Sequence, residues 1–253
     1  MEGAESAQLP AAPTPAPPAR SDLPVRVASA VVMLVIAGVA LWQGDIVLKV
    51  FIALVALGVF AEYTALAAKI APDPARMVTA VVTGAVYIGW AGLALSVMPR
   101  IMLVGVLGLV ICTDTGAYFT GRALGGPKIA PSISPSKTWS GLVGGMLAAA
   151  VWTSLYALSF GYLLSGLSPM GPSLIEAVRT THLGTAALVG AGLAVAAQVG
   201  DFYESWLKRR AGVKDSGRLI PGHGGLFDRV DGLLPVAIIA GTAWAAAGGA
   251  GGA

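Results

Sequence analysis

The stretch from Ser205 to Asp231 concentrates groups that bind phosphate and metal ions, in a chain that is otherwise 56% hydrophobic. Basic side chains neutralise phosphates, and carboxylates hold hard cations such as Mg²⁺. A plain polybasic anchor for lipid headgroups is the alternative, but it has no need of interleaved acids and glycines. We therefore predict a phosphate and metal site. Its ionisable residues are Lys208, Arg209, Arg210, Lys214, Asp215, Arg218, His223, Asp228, Arg229 and Asp231.

The segment before this stretch carries polar residues on one helical face. Gln198, Asp201, Glu204 and Lys208 follow one another at intervals of three, three and four residues, which places them on one stripe of a helix. Two carboxylates and an amide at the end of a spanning helix suit Mg²⁺. A salt-bridged helix end, with Glu204 paired to Lys208, explains the same spacing.

Two sites upstream also carry polar groups that could take part. Asp114 lies well inside an apolar run, where an ionisable group is costly and usually functional; a buried aspartate that fixes helix packing is the alternative. Lys137 follows Pro135 at a predicted helix start, and free amides at such a start bind anions. A lysine that snorkels to the interface gives the same pattern. Glu62 is interpreted as an interfacial residue near the end of its helix.

Glycines and a histidine form the centre of the polar stretch. Glycines let the backbone approach a ligand closely and take up positive φ, as phosphate-binding turns require. The sequence has no G-x-x-x-x-G-K-[ST] pattern, so a P-loop is not indicated. His223 stands between glycines as a candidate general base, metal ligand or hydrogen-bonding structural residue, and the sequence leaves these open.

The elements that must position these residues are membrane helices. Only 11% of the residues are charged, against about 25% in soluble domains, and the apolar runs reach spanning length. We predict an all-α, polytopic bundle of about seven transmembrane helices after a disordered Pro/Ala-rich tail at residues 1–24. The chain then divides into N-terminal helices (25–98) and a catalytic region (99–253) with its loop at 205–231. The predicted spans are Val25–Trp42, Ile46–Ala68, Ala75–Met98, Ile101–Thr120, Thr138–Leu164, Leu183–Arg209 and Leu233–Ala247.

Charge asymmetry predicts the orientation of this bundle. Thirteen of the sixteen Lys and Arg residues fall on the side of the 205–231 loop, and three on the other. By the positive-inside rule that loop faces the cytoplasm. The net charge of +3 is too small to indicate a nucleic-acid partner.

The 205–231 loop resembles the signature of the phosphatidate cytidylyltransferase family, the CDP-diacylglycerol synthases. Asp114 with Gly116, Ala117 and Tyr118 is similar to a second family segment, and Ser134–Thr138 to a third. Ser140 stands where family members usually carry a glutamate. The positions that match the signature are Ser205, Leu207, Lys208, Arg209, Lys214, Asp215, Gly217, Ile220, Pro221, His223, Gly224, Gly225, Leu226, Asp228, Arg229, Val230 and Asp231.

This resemblance implies transfer of the cytidylyl group of CTP to phosphatidic acid, with release of pyrophosphate. It also implies an enzyme of the cell membrane that can form a homodimer. It implies two Mg²⁺ ions on Asp201 and Asp228, to which the helical stripe adds Glu204. The implied catalytic residues are Asp201, Lys214, Asp215, Asp228, Arg229 and Asp231. The implied substrate-binding residues are Asp114, Ser134, Lys137, Thr138, Lys208, Arg209, His223, Gly224 and Gly225.

Two other functions are compatible with parts of the pattern. A CTP-dependent lipid kinase would use the same nucleotide and lipid, but would transfer the γ-phosphate. A membrane transporter would explain Asp114 and Asp201 within spans. It would not need a phosphate-binding loop, and matching halves with broken helices are not evident.

Overall fold

The computed structural model describes residues 23–166 and 182–249. Within them the chain is a helical bundle with one short β-hairpin, which confirms the all-α prediction. The predicted disordered tail lies outside the described residues, except that Leu23 and Pro24 begin the first helix. The elements are α1 Leu23–Gln43, α2 Asp45–Ile70, α3 Pro74–Val97, α4 Arg100–Leu124, β1 Lys128–Ala130, β2 Ser134–Thr138, α5 Trp139–Gly166, α6 Leu183–Arg210, α7 Phe227–Val230 and α8 Leu233–Ala246.

Six of the described helices, α1 to α6, are long and apolar enough to cross a membrane. The seventh predicted crossing, α8, has 14 residues, fewer than the roughly 20 that a perpendicular span needs. Large apolar side chains such as Leu34 and Leu188 are 72% and 77% exposed on the outside of the bundle. A lipid environment covers such side chains, and the chain is a multi-pass membrane protein.

The ends of the helices follow from local chemistry. Helix α3 begins at Pro74, whose fixed φ suits the first helical position. The carboxylate of Asp73, the residue before it, accepts the Arg76 amide at 2.9 Å. Gly125 ends α4 with a φ of 61°, and its amide donates to the Gly121 carbonyl oxygen at 3.1 Å. Glycine adopts this left-handed conformation without a steric penalty.

Small residues bring α4 and α5 into close contact. A Cβ added at Gly141 would lie 2.9 Å from the Ala117 carbonyl oxygen, and one at Gly145 would lie 2.9 Å from that of Thr113. Gly144 likewise makes room for the Thr120 side chain. Close backbone approach through small residues is typical of membrane helix pairs. These glycines therefore pack two helices of one chain, and homodimerisation stays a prediction.

The loop before α5 differs from the sequence prediction. Ser134–Thr138 forms a strand antiparallel to Lys128–Ala130, whereas a helix start was predicted at Thr138; the helix begins at Trp139. Ser134 precedes a proline, which favours extended backbone. The Thr138 hydroxyl accepts the Gly141 amide at 3.1 Å, as an N-cap residue does. Lys137 therefore lies on a strand.

Ser140, which stands where the related motif usually has a glutamate, closes this hairpin. Its hydroxyl donates to the Gly125 carbonyl oxygen and lies 3.0 Å from the Thr138 hydroxyl oxygen. In this chain the position therefore connects the end of α4 to the start of α5.

We expect Thr138→Val to destabilise the protein by about 1 kcal/mol, since valine keeps the shape of threonine but cannot cap α5. Thermal unfolding in detergent would measure this loss. Thr79→Val is the matched control, because the exposed Thr79 hydroxyl donates only to the Ala75 carbonyl oxygen within its own helix. Equal melting temperatures for the two variants would contradict the capping role.

The 205–231 loop, the β-hairpin and the start of α1 meet at one end of the bundle. The Arg209 side chain donates to the Ile133 carbonyl oxygen at 3.2 Å, and the Ser29 hydroxyl lies 2.8 Å from His223 Nδ1. At the opposite end, Arg100 donates to the Trp42 carbonyl oxygen at 3.2 Å. The two ends of α1 therefore lie at opposite ends of the bundle, with the 205–231 loop beside its start and the start of α4 beside its end.

Candidate active site

Charged and polar residues form two clusters at this end of the bundle, and the predicted acid Asp215 belongs to neither. One, the aspartate cluster, consists of Asp114, Lys137, Gln198, Asp201 and Asp231. The other, the anchor cluster, consists of Glu62, Glu204, Lys208, Ser216 and Asp228. Helix α6 contributes to both, because its predicted polar stripe carries Gln198 and Asp201 as well as Glu204 and Lys208.

Lys137 joins the β-hairpin to α6 within the aspartate cluster. Its ammonium donates to Gln198 Oε1 at 2.8 Å and forms an ion pair with Asp201 Oδ2. The Ser205 hydroxyl donates to the other Asp201 oxygen at 3.2 Å. The Asp201 side chain is 31% exposed, so a ligand can reach this carboxylate.

Asp114 and Asp231 bring two more carboxylates near Asp201. Asp114 on α4 interacts electrostatically with Asp201 and Lys137, as does Asp231, which directly follows α7. Burial raises the pKa of Asp231, and the nearby charge of Asp201 raises it further. The close approach depends on Gly200, since a Cβ there would overlap the Asp231 carbonyl oxygen. The cluster thus places three carboxyl groups near a single lysine.

Asp228 closes the signature loop in the anchor cluster. Its Oδ2 accepts the Ser216 amide at 2.9 Å, the Ser216 hydroxyl at 2.9 Å and the Gly225 amide at 2.8 Å. Its Oδ1 accepts the Lys208 ammonium at 2.5 Å. Burial alone raises the pKa of Asp228, but the hydrogen bonds to its carboxylate outweigh burial and hold the pKa well below its usual range.

Lys208 and Glu204 form the buried floor of this cluster. The Glu204 side chain is 1% exposed, and the Lys208 ammonium lies 2.5 Å from its Oε2. Neither Glu204 oxygen accepts a well-aligned hydrogen bond. The ion pair between Glu204 and Lys208, which the sequence offered as the alternative for this helix end, is therefore present. The same Lys208 ammonium also pairs with Asp228.

The three predicted metal ligands are divided between the clusters. Asp201 belongs to the aspartate cluster, whereas Asp228 and Glu204 belong to the anchor cluster. In the part of the chain that the structure describes, no group of three or more His, Cys, Asp or Glu side chains is arranged to hold a metal ion. Asp201 presents a partly exposed carboxylate, the type of group that Mg²⁺ binds in proteins. Asp228 already accepts three hydrogen bonds at Oδ2 and the Lys208 ammonium at Oδ1.

A tight turn positions His223. Gly222 and Gly224 have φ of 75° and 81°, and the Ile220 amide donates to the Gly224 carbonyl oxygen at 3.0 Å. His223 Nδ1 contacts Ser29 of α1, and its carbonyl oxygen accepts the Arg229 guanidinium at 2.6 Å. These contacts match the structural alternative for His223 and give Arg229 a role in shaping the turn.

The other predicted residues vary in exposure. Lys214 and Asp215 are exposed on the loop, and so is the Arg209 side chain. Ser134 and Thr138 are buried at the base of the hairpin, at 8% and 3% exposure. Their roles toward a substrate stay predictions.

Sequence reasoning missed two members of the anchor cluster, Glu62 and Ser216. The interpretation of Glu62 as an interfacial residue is wrong, because it is 6% exposed and accepts hydrogen bonds from the loop. The available signal was its acidic side chain within the apolar helix α2, since such a residue is functional by default. Ser216 had no comparable signal, because it is one serine in a polar loop.

A family model described as the cytidylyltransferase family matches residues 98–245. The match covers more than half of the chain. The chain belongs to this cytidylyltransferase family. The match contains the whole aspartate cluster and all of the anchor cluster except Glu62, which lies upstream of it.

Curated members with similar sequences are named phosphatidate cytidylyltransferase. The protein from Brucella suis is 43% identical over 162 residues, which are 62% of this chain and 53% of that protein. The one from Haemophilus influenzae is 39% identical over 132 residues, 52% of this chain and 41% of its own length. The Thermotoga maritima protein is 43% identical over 124 residues, 49% and 42% of the two chains. This cytidylyltransferase family member thus spans about half the length of the curated relatives it matches.

Proposed function

We propose that the protein is a phosphatidate cytidylyltransferase, which transfers the cytidylyl group of CTP to phosphatidic acid. A phosphate oxygen of the lipid attacks the α-phosphorus of CTP, and the bond to pyrophosphate breaks. The products are CDP-diacylglycerol and pyrophosphate. We also propose that the end of the bundle with the two clusters faces the cytoplasm, where CTP is available, at the depth of the lipid headgroups.

The observation that carries this proposal is the contact between Lys137 and Asp201. It brings the Ser134–Thr138 motif against the helix that leads into the signature loop. Asp114, from the segment that also contains Gly116, Ala117 and Tyr118, interacts electrostatically with both residues. Three separate segments with family resemblance therefore surround one partly exposed site.

The chemistry needs charge neutralisation more than proton transfer. The attacking lipid phosphate is already ionised near neutral pH, so a strong general base is not required. Two polyanions must meet, and pre-positioned cations stabilise such an arrangement. Lys137, Lys208, Arg209, Lys214 and Arg229 supply that charge in the proposed complex. The hydrogen bonds of Lys208 and Arg229 hold the signature loop as well.

We propose Mg²⁺ as the cofactor, with two ions as the sequence resemblance implies. Asp201 is the best placed ligand, and the nearby carboxylates of Asp114 and Asp231 provide further hard oxygen atoms or orient bound water. When bound there, Mg²⁺ offsets the charge of the reacting phosphates. Asp228 and Glu204 remain proposed ligands of the second ion.

Transfer of label from CTP tests the reaction. Purified protein is incubated with phosphatidic acid vesicles, Mg²⁺ and CTP labelled at either the α- or the γ-phosphate. We expect the α label to enter the lipid and the γ label to appear in pyrophosphate. Entry of the γ label into lipid would identify a lipid kinase instead, and no transfer of either label would refute both lipid reactions.

A further inference from the structure

We infer that Glu62 is a positioning residue for the signature loop, and that it sets the loop geometry through Ser216 and the first amides of α7. This inference rests on the proposed cytidylyl transfer for its kinetic consequence. Glu62 lies on α2, outside residues 98–245 that carry the family match.

A single carboxylate holds the loop at three points. Glu62 Oε1 accepts the Leu226 amide at 3.0 Å. Its Oε2 accepts the Phe227 amide at 2.8 Å and the Ser216 hydroxyl at 2.9 Å. At 6% exposure, Glu62 has little water to replace these donors. Hydrogen bonds to a buried ionised group are stronger than neutral ones and costly to lose.

The two bonded amides belong to the start of helix α7, Phe227–Val230. The first amides of a helix have no partner within the helix, and Leu226 at the N-cap provides no side-chain cap. Glu62 supplies the missing acceptor from a different helix. The orientation of α7 is therefore tied to α2, and Asp228 and Arg229 both lie on α7.

Ser216 links Glu62 to Asp228. Its hydroxyl lies 2.9 Å from Glu62 Oε2 and 2.9 Å from Asp228 Oδ2. A hydroxyl carries one hydrogen, so the two carboxylates share it. Because Asp228 in turn holds Lys208 at 2.5 Å, a displacement of Glu62 reaches a proposed phosphate-binding lysine through three successive contacts.

Two glycines of the loop leave room for the Glu62 side chain. A Cβ at Gly217 would overlap its Oε1, and a Cβ at Gly225 would overlap its Oε2 and the Ser216 hydroxyl. The resemblance to the signature includes a small residue at 217 and glycine at 225. In this chain those small residues make the approach of a carboxylate from α2 possible.

Glu62→Gln tests the inference, because the amide keeps the size but directs an NH₂ group at one of the loop donors. We expect kcat for cytidylyl transfer to fall by about 10- to 100-fold, as for other residues that orient site groups, and KM for CTP to rise. We also expect amide hydrogen exchange in the 216–230 peptide to accelerate about tenfold or more, since bonds to a charged acceptor are lost.

Tyr63→Phe is the matched control. It alters the next residue of α2 and removes a buried hydroxyl that lies 3.3 Å from the Tyr203 hydroxyl, but no loop donor. We expect wild-type kinetics and exchange from this variant. If Glu62→Gln does not fold, Ser216→Ala provides a second test. It removes the hydroxyl that links Glu62 to Asp228 but leaves the two backbone amide bonds to Glu62, and we expect it to raise KM for CTP.

The outcomes separate this inference from the proposed function. A drop in kcat that only follows the folded fraction, with KM for CTP unchanged, would reduce Glu62 to general stability and overturn the positioning role. Unchanged hydrogen exchange in Glu62→Gln would overturn it as well, even if the wild-type protein transfers no cytidylyl group. Accelerated exchange with an inactive wild type would support the loop anchor and refute the reaction.

Discussion

Asp201→Asn is expected to lower cytidylyl transfer by about a thousandfold or more while the protein stays folded. The substitution removes the charge of the partly exposed carboxylate that pairs with Lys137, and with it the proposed ligand for Mg²⁺. Loss of about 4 kcal/mol of transition-state stabilisation corresponds to this factor. Label transfer from α-labelled CTP, measured with equal amounts of folded protein, checks the result.

Asp45→Asn is the matched control for this variant. Asp45 begins α2 on the side opposite the signature loop and has a positive φ of 44°, which asparagine also tolerates. The same chemical change there should leave transfer unchanged. Activity within tenfold of wild type in Asp201→Asn would remove this residue from the proposed metal site.

Asp228→Asn is expected to abolish detectable transfer for a different reason, namely release of the signature loop. The asparagine side chain has only one oxygen. It cannot accept both from Lys208 on one side and from the backbone amides of Ser216 and Gly225 on the other, so at least one of these donors is left unpaired. Breaking a largely buried ion pair by removing one partner costs about 3–5 kcal/mol. Asp201→Asn should lose little stability, so thermal unfolding in detergent distinguishes the two variants.

The stability that Asp228 contributes should not depend on pH near neutrality. Its pKa is lowered in the folded protein, so its contribution is complete above the unfolded-state pKa, about 3.9. It is lost only as the pH falls toward the folded-state pKa. A difference in melting temperature between wild type and Asp228→Asn that stays constant from about pH 5 to 8 would fit this sign. A difference that shrinks in this range would contradict it.

The sequence predicted the site better than its internal organisation. The three motifs around Asp114, Lys137 and Asp201 do converge at one end of an all-α bundle. Helical periodicity placed Glu204 and Lys208 correctly as an i, i+4 pair. Such features depend on local spacing or on hydrophobic runs, and both are visible in a single chain.

The division of the acids into two clusters was not predictable in the same way. It depends on backbone amides of Ser216 and Gly225, whose direction is set by the fold of the loop and not by residue type. The hairpin at Ser134–Thr138 was missed because a Ser-Pro segment before an apolar run is also typical of a helix start. Glu62 was misjudged because its partners come from a loop far along the chain, which α2 gives no means of identifying.

Because Glu62 lies on α2, the residues that hold the signature loop extend beyond residues 98–245, the segment that the family model matches. A fragment beginning near residue 98 would carry every residue of the aspartate cluster and yet lack the acceptor for the Leu226 and Phe227 amides. For protein engineering, a cut or a fusion junction between α3 and α4 would separate Glu62 from the signature loop that it holds. We therefore expect that helices α1–α3 and the C-terminal half have to be exchanged between proteins as one piece.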